Sequence, residues 1–316
     1  MLTGVAAGLA AAALWGLVFV APDIAAGWSA IDLTAGRFLV YGVWSLTLML
    51  WSSLARSRSA NEAVWPNTGQ ALAALLMSML GFTGYYLLLV WAIRDAGVEV
   101  PSLIIGTIPI WMMVLGRPAG LRMERLLPGL LMTLLGLALM VQASLGLADA
   151  AVGDSLSLSQ LGRGLALAAC AMVLWTVFGL ANAAWLKRHP TVSAVTWTNW
   201  LGLATGAGAL LLWSVSGSDL KVLLALPNGT QAAMLCIGTG IGSAWLATLL
   251  WNFASQRLSA SLCGQLIVGE TLFALAYSFA WHSQKPTLLQ WLAGAFFAGG
   301  IVASMWAHRD SGDDSA

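Results

Sequence analysis

The chain has 316 residues, 59% of them hydrophobic and 9% charged, and its 14 Lys/Arg against 13 Asp/Glu leave a formal net charge of +1. A soluble domain carries about 25% charged residues because its surface faces water, so a water-soluble fold of this length is excluded. So is a nucleic-acid partner, which needs a basic field.

What remains is an all-α integral membrane protein. The N-terminal stretch MLTGVAAGLAAAALWGLVFV lacks the basic region of a cleaved signal peptide and reads as a retained first spanning helix. Apolar runs near the ~20 residues that cross a bilayer then predict ten helices. They cover 3–25, 31–54, 68–92, 98–116, 124–146, 160–186, 191–215, 229–254, 260–281 and 287–307. Short polar breaks separate them, and the longest, 147–159, sits at the midpoint. The expected organisation is a first five-helix unit over 1–146, an extracytoplasmic linker over 147–159, a second unit over 160–308 and a polar tail over 309–316. Cys170, Cys236 and Cys263 fall inside apolar segments and read as small buried hydrophobes.

Basic residues set orientation. With the N-terminus inside, the inner segments hold nine: Arg56, Arg58, Arg117, Arg122, Arg125, Lys187, Arg188, Arg257 and Arg309. The outer breaks hold four, Arg94, Arg163, Lys221 and Lys285. Both termini are therefore expected in the cytoplasm. An offset of 160 aligns Leu14-Trp15-Gly16 with Leu174-Trp175-Thr176, and Trp91 with Trp251. Five spans per half is odd, so the second half enters the membrane from the opposite side. That is the inverted repeat of many secondary transporters, whose site lies between the halves near the midplane.

The order of these features resembles a known family. ALWG at 13–16, Arg37-Phe38 in the second helix, WNFASQRLSA at 251–260 and Glu270 beyond it are together similar to the drug/metabolite transporter superfamily, specifically its EamA-type ten-helix exporters. The resemblance covers roughly residues 5 to 305. The stretch GVEVPSL at the fourth helix is also similar to the aromatic amino-acid exporter branch, the YddG-like proteins. The resemblance implies helices 1, 3, 4, 6, 8 and 9 around a central cavity, with 5 and 10 peripheral, and an exporter's direction of transport. One departure stands out. Relatives commonly carry Glu-Pro in the ninth helix, where this chain has Glu270-Thr271. Thr does not interrupt the helical ladder as Pro does, whereas Pro109 holds the corresponding place in the first half.

Glu270 is the single charge in the twenty-residue run 262–281. A carboxylate at the bilayer centre costs roughly 2.5–3.5 kcal/mol on insertion scales. It reads either as a cavity-lining group that meets a substrate ammonium or changes protonation, or as a buried acid that only packs. Trp15 and Trp175, the related pair in helices 1 and 6, could wall a pocket for a flat apolar solute, or face lipid. Asn182 lies on the Trp175 face. Tyr85 and Tyr86 in helix 3, Thr107 and Trp111 in helix 4, Trp245 and Asn252 in helix 8 and Gln265 in helix 9 complete the substrate-binding candidates. Each alone is more often packing, but their concentration in spans 3, 4, 8 and 9 fits a cavity. Arg94 and Glu99 flank the outer turn between helices 3 and 4 as a gate or a rim ion pair, and Glu270 is a further coupling candidate. Arg37 is expected to snorkel to Asp32 as a structural anchor. Glycine pairs Gly4/Gly8, Gly202/Gly206 and Gly238/Gly242 suit close helix contacts.

The rival class is a membrane-embedded enzyme or flippase acting on a lipid or isoprenoid, which needs clustered acids or His/Cys/Asp groups. His189, His282 and His308 lie at helix ends, no two intramembrane acids sit together, and no P-loop or metal spacing appears. The expectation is a non-enzymatic inner-membrane exporter without cofactor or metal. Its partners are the lipid bilayer and a small solute such as an aromatic or large apolar amino acid, and a monomer is compatible with this reading.

Overall fold

The computed structural model describes residues 1–20, 24–25, 27–55, 63–97, 99–148, 158–283 and 285–313. Most of the expected linker, 149–157, and the break with Arg56 and Arg58 lie outside them. Among the described residues every regular element is a helix. In hydrocarbon a backbone N–H or C=O without a partner is costly, and a helix satisfies its own. The long helices are α1 (Leu2–Gly16, extended by the 3-10 turn Leu17–Val20), α2 (Ala30–Ala55), α3 (Thr68–Ala96), α4 (Glu99–Ile105 and Ile108–Leu115) and α5 (Met123–Ala148). The second half supplies α6 (Leu158–Arg188), α7 (Ala194–Ser216), α8 (Gly229–Arg257), α9 (Ala260–His282) and α10 (Leu288–Asp313).

The expected count of ten spans is met in part. Eight of these helices are long and apolar enough to cross a membrane: α1, α2, α3, α5, α6, α8, α9 and α10. The fourth stretch is cut in two. Its first segment ends at Ile105, the residue whose carbonyl would accept from position 109, and Pro109 has no N–H to give. The seventh has the length, at 23 residues, but opens on the polar-rich run Thr196-Trp197-Thr198-Asn199.

Helix starts follow the sequence chemistry. Asn67 and Gln70 form a reciprocal capping box at α3, with Oδ1 accepting from the Gln70 N–H at 2.9 Å. Ser193 caps α7, and the Ser259 Oγ accepts the Leu262 N–H at 3.2 Å to start α9, as serine does at an N-cap.

Lipid is as apolar as a leucine side chain, so close packing must hold these helices together. The most extensive pairings are α2 with α7, α5 with α10, α3 with α6, α1 with α8 and α9, and α4 with α9. Adding five to each number of the first half relates these pairs to one another: α3 on α6 matches α8 on α1, the α2–α7, α4–α9 and α5–α10 pairs map onto themselves, and α1 on α9 corresponds to α6 on α4, which also pack. Besides each other, α5 and α10 pack chiefly on α4 and α9. A π-helical turn interrupts α3 at Met79–Thr83 and α8 at Gly240–Leu246, the third helix of each half. The glycine expectation divides. Gly8 faces Leu266 of α9, and Gly206 meets the Gly42 backbone of α2 so closely that a Cβ would not fit. Gly238 and Gly242 have nothing within 4 Å of where a Cβ would stand, so that pair makes no close contact.

Candidate functional site

Aromatic rings form a continuous band through the bundle. Trp15 of α1 lies 5.4 Å from Trp251 of α8, and Trp251 lies 6.2 Å from Trp175 of α6. The offset-related Trp15 and Trp175 thus meet on one indole between them. From Trp175 the band continues to Phe178 at 5.9 Å, then to Phe82 of α3 at 5.4 Å and Phe38 of α2 at 5.8 Å. Tyr86 closes edge-on over Phe38 at 6.1 Å, and Tyr85 stands 6.4 Å from Tyr86. Such edge-to-face pairs contribute about 0.5–1.5 kcal/mol each beyond area burial. The α3 π-turn lies at the crossing. Gly81 sits against the Phe178 ring where any Cβ would overlap it, and π-turns of this kind favour functional sites.

Two charges border this band. Arg37 lays its guanidinium carbon 4.9 Å from the Phe38 centroid and 5.8 Å from that of Tyr86. Its Nε is buried with no hydrogen-bond partner among the described residues. The expected snorkel to Asp32 is therefore corrected. Asp32 is already filled by the Ser29 Oγ at 2.7 Å, the Ser218 N–H at 2.7 Å and the Ser218 Oγ at 2.9 Å. At a spacing of five, the two side chains also leave α2 about 140° apart. Glu270 is half-buried, with its carbonyl beside Gly16 of α1. Among the described residues no ion pair joins it to Arg37.

The other candidates divide. Thr107 donates to the Ile104 carbonyl at 2.6 Å and touches the Met172 sulfur at 3.1 Å, at the break in α4. Trp111 is 46% exposed on the outside of the same helix. Asn182 and Asn252 are fully buried in a network that ties α6, α7 and α8. Trp197 donates to the Asn182 Oδ1 at 2.7 Å, Asn182 to the Asn252 Oδ1 at 2.9 Å, and Asn252 to the Thr198 Oγ at 2.9 Å. Trp245 donates to the Asn199 Oδ1 at 2.8 Å and stands edge-on to Trp44. Gln265 turns toward α5 and donates to the Thr133 Oγ at 3.0 Å. The Glu99 side chain lies outside the described residues. Arg94 is 70% exposed and 3.6 Å from Asp95.

Sequence reasoning missed the partner of Asp95. Arg163, at the start of α6, meets that buried carboxylate with both Nε and a terminal nitrogen, the latter at 2.9 Å. This bidentate fork fastens the end of α3 to α6. It also missed Phe38, Phe82 and Trp251 as members of the band, although Arg37-Phe38 and Trp251 lie inside the quoted motifs. A cavity of about 840 Å³ opens away from Glu270, between α1, the α6–α7 turn and α8, with Lys187, Phe253 and Arg257 on its walls.

The EamA-like transporter family profile matches residues 2–142, from α1 into α5. The chain is also 31% identical to "Inner membrane protein YtfF" of Escherichia coli (strain K12), over 98% of this chain and 97% of the relative. The chain belongs to the EamA-like transporter family. It is thus a multi-pass membrane protein of the drug/metabolite transporter superfamily. A crystal structure at 18% identity shares the fold, with a TM-score of 0.74 over 97% of this chain and 98% of the other. For this EamA-like protein, the motifs at Trp15, Arg37-Phe38 and Trp251 are the residues that build the aromatic band and its cationic border.

Proposed function

We propose that the protein is a secondary transporter of the inner membrane with ten spans, α1–α5 and α6–α10, arranged as an inverted five-plus-five repeat. The units are 1–146 and 160–308, joined by 147–159, with the tail 309–316 and both termini in the cytoplasm. The pairing of helices that survives adding five, and the matched π-turns in α3 and α8, support that arrangement.

Its substrate is a compact, partly apolar solute, an amino acid with an aromatic or large apolar side chain, exported by alternating access of the half-bundles. The observation that carries this reading is the aromatic band. It runs from Trp15 to Tyr85 through helices of both halves and borders Glu270, so rocking one half against the other changes the shape of one shared surface. Trp15, Tyr85, Tyr86 and Trp175 are its wall, and Glu270 is the polar contact or coupling group. No nucleotide motif is present in the sequence, so a solute or ion gradient is the drive.

Purified protein in proteoliposomes loaded with labelled phenylalanine, leucine, glutamate or lysine tests this directly. Exchange of phenylalanine, and of leucine more slowly, is expected. Movement of none of the four would overturn the substrate class.

A further inference from the structure

The cavity of about 840 Å³ between α1, the α6–α7 turn and α8 takes no part in the aromatic band. Its size falls within the roughly 300–1,000 Å³ of sites that hold a small molecule. Two cations line it, Lys187 from the last turn of α6 and Arg257 from the last turn of α8, and no acidic residue does. Neither cation has an acidic partner among the described residues. The Arg257 guanidinium is held on the wall. Its carbon stands 3.3 Å from the Phe253 ring centre, and one terminal nitrogen donates to the Phe253 carbonyl at 3.1 Å. The other guanidinium donors remain available to a ligand. Ala194 and Val195, the first turn of α7, also face the cavity, and a helix start presents N–H groups that its own helix cannot satisfy. Gln256 closes the gap between α8 and the α6–α7 turn, donating to the Val192 carbonyl at 3.1 Å. A cavity built in this way selects an anion.

Depth separates its charged part from its apolar part. Lys187 and Arg257 sit at helix ends, the level of lipid headgroups. Along α8, Phe253 lies about 6 Å deeper than Arg257, and Leu249 and Leu250 about 10–12 Å deeper, at the helical rise. All three are half-buried and line the same cavity. A soluble anion would use the cations and leave this strip uncovered, whereas an anion with a hydrocarbon tail matches both levels. Basic pockets between spanning helices take anionic lipid headgroups on the same grounds.

We propose that this cavity binds an anionic phospholipid of the surrounding leaflet. The lipid phosphate lies between Lys187, Arg257 and the start of α7, and an acyl chain runs down the Leu249–Phe253 face of α8. The site is independent of what the protein carries. Only its assignment to the cytoplasmic leaflet rests on the orientation proposed above.

Labelled phosphatidylglycerol or phosphatidylethanolamine, added in dodecyl maltoside micelles to the delipidated full-length protein and counted after gel filtration, tests it. The wild type should retain phosphatidylglycerol at least about 10-fold more tightly, because the ethanolamine ammonium is repelled by the two cations. One charge-assisted contact corresponds to about 10- to 100-fold in affinity. Lys187→Gln and Arg257→Gln should each weaken phosphatidylglycerol by that factor and change phosphatidylethanolamine little. Arg188→Gln removes a neighbouring exposed cation that does not line the cavity, and should change neither lipid. Val195→Trp, at a 46% exposed position on the wall, should obstruct phosphatidylglycerol without altering any charge. Equal retention of the two lipids by the wild type would overturn the site. So would an Arg188→Gln loss as large as that of Arg257→Gln, which would reduce the effect to general surface charge, or undiminished binding in Val195→Trp. Displacement of the lipid by millimolar inorganic phosphate would make this a site for a soluble anion and overturn the lipid assignment.

Discussion

Helices α4 and α9 occupy matching places in the two halves and pack directly on one another, yet one is broken and the other is continuous. At their tight end the Ser261 N–H donates to the Gly116 carbonyl at 3.1 Å and the Ser261 Oγ to the Met113 carbonyl at 2.9 Å. Gly264 lies against Met112. Away from that end one residue decides whether the backbone ladder continues. Pro109 removes the donor that the Ile105 carbonyl needs. Helix α4 resumes at Ile108 after a tightened turn in which the Thr107 N–H bonds to the Ile104 carbonyl at 3.1 Å. Thr271 keeps its N–H, and α9 is unbroken from Ala260 to His282. The first half therefore places a broken backbone in the bundle, and the second places a carboxylate on an unbroken helix. The halves share a frame but bring different chemistry to it.

Three substitutions and one control would break or sharpen this contrast. The largest effect is expected from Thr271→Pro, which imposes on α9 the interruption α4 already has. An interior proline costs about 3 kcal/mol or more, so the thermal midpoint of the purified protein should drop steeply. An unchanged midpoint would mean that α9 already yields at that position. Next comes Gly264→Ala, whose added methyl would overlap Met112. Overpacking of this kind costs about 1–3 kcal/mol. Gly238→Ala is its internal control, since that site is open and α8 should gain up to about 1 kcal/mol from better helix propensity. If both alanines behave alike, the α4–α9 contact is not as tight as described. The smallest change belongs to Pro109→Ala. There the stability should move by no more than about 1 kcal/mol, because a proline near a helix start is tolerated. Its mark should instead be a changed phenylalanine exchange rate in liposomes, as the two segments of α4 join.

Much of this was legible in the chain itself. Hydropathy located the long helices to within a few residues, because a spanning helix must be apolar along its length. The contrast between Pro109 and Thr271 was readable too, since a missing N–H acts on its own turn whatever surrounds it. The π-turns were not. Neither Met79–Thr83 nor Gly240–Leu246 carries a composition signal, although a glycine of each lies tight against another helix, Gly81 on Phe178 and Gly240 on Val40 and the Arg37 carbonyl. The same limit applies to polar side chains. Asn182 and Asn252 share the chemistry of ligand-binding amides, but Trp197 and Thr198 use up their capacity from a third helix. The Asp32 carboxylate that would have drawn Arg37 toward it is taken by Ser218, far along the chain. Helical spacing reports which face a residue occupies, and only tertiary packing decides what waits there.

The central claim is that Glu270 faces a site between the halves, reached from each side of the membrane in turn. Thiol labelling of Glu270→Cys tests it most directly. The exposed Cys170 would first be replaced by Ala, while Cys236 and Cys263 are buried and can stay. A membrane-impermeant maleimide would be applied to right-side-out and to inverted vesicles. Labelling in both preparations, suppressed by phenylalanine in each, is the predicted result. No labelling from either side would contradict the account and return the ninth-helix carboxylate to a packing role.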